Sequence, residues 1–154
     1  SAEATPADRR RITDALRTAC AAAADHHLLV ATEFHGHTLT DTAASTLQLL
    51  TETAHPALRT FWQPPVGATP DAARTGLQAV LPFVHNCHVF HWSGPDRERR
   101  PLAEGAAAWT TYCNLIAQTP GPHHACLEFL RDNDPAHLPA EAATLRQLIQ
   151  QATL

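Results

Sequence analysis

The sequence contains no methionine and no lysine: all 11 basic residues are arginines, set against 15 acidic residues for a formal net charge of −4. The arginines are scattered rather than striped, so the basic footprint of a nucleic-acid or anionic-membrane binder is missing. No apolar run approaches the ~20 residues needed to cross a bilayer. The four cysteines, Cys20, Cys87, Cys113 and Cys126, show no CxxC or CxxH spacing, which argues against a structural zinc cluster and for reduced core thiols in a cytoplasmic protein. No charged, apolar and cleavage-site pattern opens the chain, so secretion is unsupported. The missing methionine and the opening at Ser1, directly before a helix, lead us to expect a fragment or a chain without its initiator.

At 44 % hydrophobic and 17 % charged, the 154 residues have the composition of a soluble globular domain. A complete eight-stranded α/β barrel usually takes about 250 residues, however. Thr5-Pro6 reads as a cap and first-turn proline for a helix of about 20 residues. Residues 28–34 (LLVATEF) then read as a buried strand, too brief for a helix. Thr40 and Asp41 are expected to cap a second helix that carries Ala43, Leu47 and Leu50 on one face. Residues 58–63 (LRTFWQ) form a strand stopped by Pro64-Pro65, and Thr69-Pro70 restarts a helix. A third strand spans 87–92 (CHVFHW), closed by Ser93-Gly94-Pro95; a charged loop, DRERRP, leads into a helix over 106–118. A fourth strand covers 124–130 (HACLEFL), and a last helix covers 141–150. The order is α(βα)₄ in one domain, 1–154, an α/β chain with parallel (βα) units.

An open doubly wound sheet and a barrel segment both accept that order. The first calls for a glycine-rich GxGxxG or GxxxxGK[ST] turn, and no strand-to-helix turn here has one. Instead, each strand carries polar residues toward its C-terminal end: Glu33 and His35, Gln63, His88 and His91, and Glu128. In a (βα) barrel that rim carries the chemistry. A carboxylate such as Glu33, inside ATEFH where a strand prefers Val or Ile, is costly to bury unless something compensates it. Glu128 in CLEFL repeats the oddity at the equivalent place of another unit. With His88 on the same rim, the donors suit Mn²⁺, Mg²⁺, Co²⁺ or Zn²⁺ acting as a Lewis acid.

The series ATEFH, WQP, HVFHW and LEF on four successive strands resembles the second half of the xylose-isomerase-like TIM barrel superfamily, which includes ketose 3-epimerases and sugar phosphate isomerases/epimerases. The resemblance implies a C-terminal half-barrel and a divalent metal held by Glu33, Gln63, His88 and Glu128. Glu33 and Glu128 would also be the catalytic pair, moving a proton between sugar carbons through an enediolate. Gln63 departs from the family's Asp; a neutral amide oxygen can ligate but supplies no charge. His35 and His91 are candidate substrate contacts, Trp62 and Trp92 an apolar wall, and Arg97, Arg99 and Arg100 partners for a phosphate or carboxylate. The implied function is a metal-dependent sugar or sugar phosphate isomerase/epimerase. Two alternatives stand beside it, a non-catalytic binding module with a degenerate metal site and an apurinic endonuclease-like hydrolase. A half-barrel would expose two strand edges and one apolar sheet face, so we expect either a homo-oligomer or a missing N-terminal half supplied by a partner.

Overall fold

The computed structural model describes residues 1–93 and 96–152; the expected Gly94-Pro95 turn lies outside the described residues. Helix α1, Pro6–Ala24, opens on a reciprocal capping box: Asp8 N–H donates to Thr5 Oγ1 at 3.2 Å, and Thr5 N–H donates to Asp8 Oδ2 at 3.1 Å. Strand β1 is Val30–Glu33, shorter than expected, because pairing starts only where Val30 N–H meets Ala57 O. Leu28 and Leu29 stay exposed before it. Helix α2, Ala43–Thr53, is capped by Thr42 rather than Thr40 or Asp41. The Thr40 hydroxyl is taken by the Glu33 carbonyl, and Asp41 meets the Ser1 amino group.

Strand β2, Leu58–Trp62, and helix α3, Pro70–Val80 with Thr69 at its cap, follow the expectation closely. The third strand does not. Strand β3 is Val84–Val89, starting earlier than residue 87, and the run CHVFHW splits at Phe90. The Phe90 carbonyl accepts from Trp109 Nε1 at 2.8 Å, which takes it out of any ladder. Beyond it, β4 (His91–Ser93) pairs antiparallel with β5 (Glu98–Arg100), so the segment read as a charged loop forms half of a hairpin. Helix α4 is Ala106–Ala117, strand β6 is His124–Leu127, and helix α5 is Leu138–Gln151.

The main sheet has the order β1-β2-β3-β6, every neighbouring pair parallel. Successive helices pack on one another from α1 through α5. They cover the sheet face that carries Leu58, Trp62, Cys87 and Val89, as in a barrel segment and unlike a doubly wound sheet, which is covered on both faces. By strand alternation and register, the opposite face carries Arg59, Phe61, Asn86, His88, His124 and Cys126. It is therefore far more polar than the bare apolar face anticipated. All four cysteines are free, but only Cys20 and Cys87 are buried; Cys126 is exposed on that open face and is not a core thiol. No helix of the described residues is long and apolar enough to cross a membrane.

Candidate metal and active site

Glu33 is the last residue of β1, Gln63 follows β2, His88 lies in β3, and Glu128 follows β6, so four consecutive C-terminal strand ends bring these side chains together. A register shift sets the phase. Thr60 is level with Val84, but Phe61 is level with Asn86, so one residue of β3 is skipped. Cys87 then pairs with Trp62 on the helix side, and His88 emerges beside Gln63 on the open side. The Phe61 ring, 5.2 Å from the imidazole and nearly perpendicular to it, supports His88 from below. Glu128 N–H donates to the Val89 carbonyl at 3.2 Å, which extends the β3–β6 ladder just far enough to hold that carboxylate at the rim.

The four side chains meet at one atom. His88 Nδ1 is 3.0 Å from Gln63 Oε1, 3.5 Å from Glu33 Oε1 and 3.5 Å from Glu128 Oε2. One ligand atom from each of Glu33, His88 and Glu128 lies within 4.8 Å of the others. An imidazole nitrogen carries at most one proton, so it can satisfy only one of three oxygens. The Gln63 contact is the short one, and Glu128 Oε2 is left buried without a hydrogen-bond partner. Burial raises the Glu128 carboxyl above its ordinary value, and the Glu33 carboxylate adds to the rise; His88, His35 and Arg99 pull the other way. Two carboxylates, an imidazole and an amide oxygen crowded together this way fit a hard divalent cation and are poorly served without one. Gln63, in the position of an expected acid, contributes its oxygen but no charge.

Next to these groups lies a cavity of about 390 Å³ whose lining includes His35, Gln63, Arg97, Trp92, Glu128 and Phe129. His35 is thus at the site, exposed, its Nδ1 2.8 Å from Gly36 O. Arg97 lines the cavity, and Arg99 lays its guanidinium over the Phe129 ring at 4.5 Å. Arg100 does not reach the cavity: exposed on β5, it pairs with Glu98. His91, expected at the rim, lies on the hairpin beside Gly105, where an added Cβ would sit 2.5 Å from its Nδ1, and it lines a separate hollow with Tyr112 and Trp109. Trp62 is no substrate wall. It is fully buried on the helix side, with its ring edge-on to Trp109 and Tyr112.

Sequence reading missed Phe34, Thr40 and Asp41 in the cavity lining. A signal existed for one of them, since an aromatic follows each glutamate, Phe34 after Glu33 and Phe129 after Glu128. Thr40, which anchors the Glu33 carbonyl, carries no such mark.

No protein-family model matches the chain. The chain is 28 % identical, over 168 aligned residues, to a 3-dehydroshikimate dehydratase of Bacillus anthracis; the match covers 94 % of this chain and 58 % of that protein. The crystal structure of the probable 3-DHS dehydratase AsbF, involved in petrobactin synthesis in Bacillus anthracis, superimposes with a TM-score of 0.79 at 26 % identity, over 94 % of this chain and 59 % of that one. A xylose isomerase-like TIM barrel protein from Mycobacterium smegmatis, solved in complex with magnesium, superimposes with a TM-score of 0.72 at 16 % identity, over 97 % of this chain and 53 % of that one. The chain therefore spans little more than half the length of the proteins it matches.

Proposed function

Since the chain is built as the C-terminal half of a xylose isomerase-like TIM barrel, we propose that the complete barrel is a divalent-metal-dependent enzyme acting on a small polyhydroxylated ketone. Its reaction begins by removing a proton from the carbon beside the carbonyl. The observation that carries this reading is the meeting of Glu33, Gln63 and Glu128 oxygens around His88 Nδ1. Those four residues would hold the cation, Mn²⁺, Mg²⁺, Co²⁺ or Zn²⁺, which when bound supplies Lewis-acid stabilisation of charge on the carbonyl oxygen.

Two carboxylates gathered beside the cavity would provide a base and a proton donor for such chemistry. Glu128, the more buried of the pair and raised above its ordinary value chiefly by that burial, is suited to give a proton back, and Glu33 takes the role of base. His35 and Arg97 face the same cavity and would orient hydroxyl and anionic groups of the substrate. The aromatic side chains of Trp92 and Phe129 close one side, 4.9 Å apart.

The fate of the deprotonated carbon divides two outcomes. In a dehydration, the electron pair forms a C=C bond as the neighbouring β-hydroxyl leaves, protonated, as water. In an isomerisation or epimerisation, the proton returns to the adjacent carbon or the opposite face. Similarity along nearly the entire chain to a 3-dehydroshikimate dehydratase supports the first; the paired carboxylates are compatible with the second, and a relic binding module would do neither. The test is incubation of the complete, Mn²⁺-loaded barrel in D₂O with 3-dehydroshikimate and with a panel of ketoses and ketose phosphates, followed by mass spectrometry. Loss of water identifies a dehydratase, and deuterium at one carbon without loss of water identifies an isomerase or epimerase. Either activity should fall by about two orders of magnitude on Glu33→Gln or Glu128→Gln. Neither exchange nor water loss with any compound refutes the enzymatic reading.

A further inference from the structure

The β4–β5 hairpin is a two-stranded sheet of its own, outside the main ladder, yet it carries Trp92 and Arg97 to the cavity beside the metal-ligand cluster. Its placement against the main sheet is therefore set by what its two faces pack on. Trp92 and Arg99 are cross-strand partners and share one face, while His91 and Arg100 share the other. The first face lies on Phe129, the residue after Glu128. The Trp92 and Phe129 ring centroids are 4.9 Å apart, and the Arg99 guanidinium stands 4.5 Å from the Phe129 centroid while donating to Asn133.

On the second face the half-buried His91 ring rests on Gly105. A Cβ built on Gly105 would lie 2.5 Å from His91 Nδ1, 2.7 Å from its Cγ and 3.1 Å from its Cβ, nearer than packed atoms approach. Gly105 has φ −92° and ψ 4°, a negative φ that alanine also adopts, so the need for glycine comes from the imidazole and not from the backbone. The support beneath the ring is fixed in turn. Gly105 ends the 3₁₀ turn Leu102–Gly105, whose buried Leu102 donates its N–H at 2.8 Å to the carboxylate of Glu141, itself buried in the first turn of α5.

We infer that His91 and Gly105 are a positioning pair for the substrate cavity: the imidazole resting on bare glycine backbone sets how far the hairpin stands from the helices, and thereby where Trp92 and Arg97 meet the substrate. A methyl group at position 105 strikes the ring, and because the turn is tied to α5 the hairpin is what yields. Glu33, Gln63, His88 and Glu128 stand on or just beyond the main-sheet strands, so the metal donors stay in place and substrate binding suffers before the chemical step does. The effect on turnover rests on the enzymatic reading proposed above; the placement of the hairpin does not.

Gly105→Ala, His91→Ala and the double variant are compared with the parent in the complete barrel. Hydrogen exchange of the β4 and β5 amides is followed by mass spectrometry, Mn²⁺ binding by isothermal titration, and steady-state kinetics with 3-dehydroshikimate or, where that is inert, the ketose that the D₂O assay identifies. Gly105→Ala should speed hairpin exchange about tenfold and raise KM about tenfold, with kcat and Mn²⁺ affinity within about threefold of the parent. Made in the His91→Ala background, the same change should alter exchange and KM by less than about twofold, since no ring is left to strike. Should Gly105→Ala fail to fold by circular dichroism, His91→Ala alone takes its place, because losing the anchor should speed exchange and raise KM in the same sense. A parent inactive on every compound refutes the enzymatic reading and leaves hairpin exchange to decide the role of the pair. Parent-like exchange and KM in Gly105→Ala, equal effects with and without the His91 ring, or loss of kcat and Mn²⁺ affinity at unchanged KM overturns the proposal.

Discussion

Replacing Gln63 by Asp should tighten divalent-metal binding, and the size of the effect can be worked from the site. The Gln63 oxygen already lies 3.0 Å from His88 Nδ1, so an Asp carboxylate, one methylene shorter, needs only a small shift to present an oxygen to the same point. At about 4 Å, two unit charges attract by about 1 kcal/mol in water and about 4 kcal/mol at an effective dielectric near 20. The site lies between these limits, with the Glu33 and Glu128 side chains 41 % and 23 % exposed. A doubly charged ion brings the gross gain to about 2–8 kcal/mol. Against this stands the cost of placing a third carboxylate beside two others, which is relieved only when the ion binds. A net gain of about 1.4–2.8 kcal/mol, or ten- to a hundredfold in Kd, is the expected outcome. Isothermal titration with Mn²⁺ measures it, with His88→Ala as a control that should weaken binding at least tenfold. A folded Gln63→Asp protein that binds Mn²⁺ no better than the parent would refute the assignment of Gln63 to the donor set.

Two further expectations follow from the same geometry. Trp62→Ala should cost about 3–5 kcal/mol in urea-induced unfolding, as for a large core aromatic, whereas Trp62→Phe should cost much less because it also removes a buried indole N–H that has no partner; a Trp62→Ala protein of native stability would return Trp62 to the substrate wall. For Glu128 the carboxyl is raised above 4.5 in the folded, metal-free chain. Its contribution to stability is thus fully present below about pH 4.5 and lost as pH rises through the folded value. Metal-free Glu128→Gln should melt above the parent at pH 7, with the difference closing as the pH approaches 4.5; a constant difference across that range would contradict the assigned cause.

Much of the chain's organisation is local in origin, and local chemistry is readable in one dimension. The Thr5 and Thr69 caps, the helical spacing of apolar residues and the stop at Pro64-Pro65 depend on residues a few places apart. Glu33, His88 and Glu128 were legible because a charged or imidazole side chain inside a short apolar run is anomalous wherever it occurs. The α(βα)₄ order of the main sheet followed from the spacing of those runs, because strands separated by crossover helices pair in parallel.

What the sequence could not decide was which way side chains face when pairing departs from simple alternation. The skipped residue in β3 reverses the phase of everything beyond it, placing Cys87 with the helices and His88 with the glutamates. Trp62, one residue before Gln63, belongs to the opposite face by plain alternation along β2. The Phe90 carbonyl is claimed by Trp109, a residue 19 positions away, where the main-sheet strand ends, and the β4–β5 hairpin that follows takes His91 and Arg100 away from the rim while Arg97 stays at the cavity. Sequence periodicity thus determined which segments form strands and which residue types are out of place in them. Register, a bulge and one long-range hydrogen bond are set by packing between distant segments, and only the tertiary structure decided which of those residues share a site.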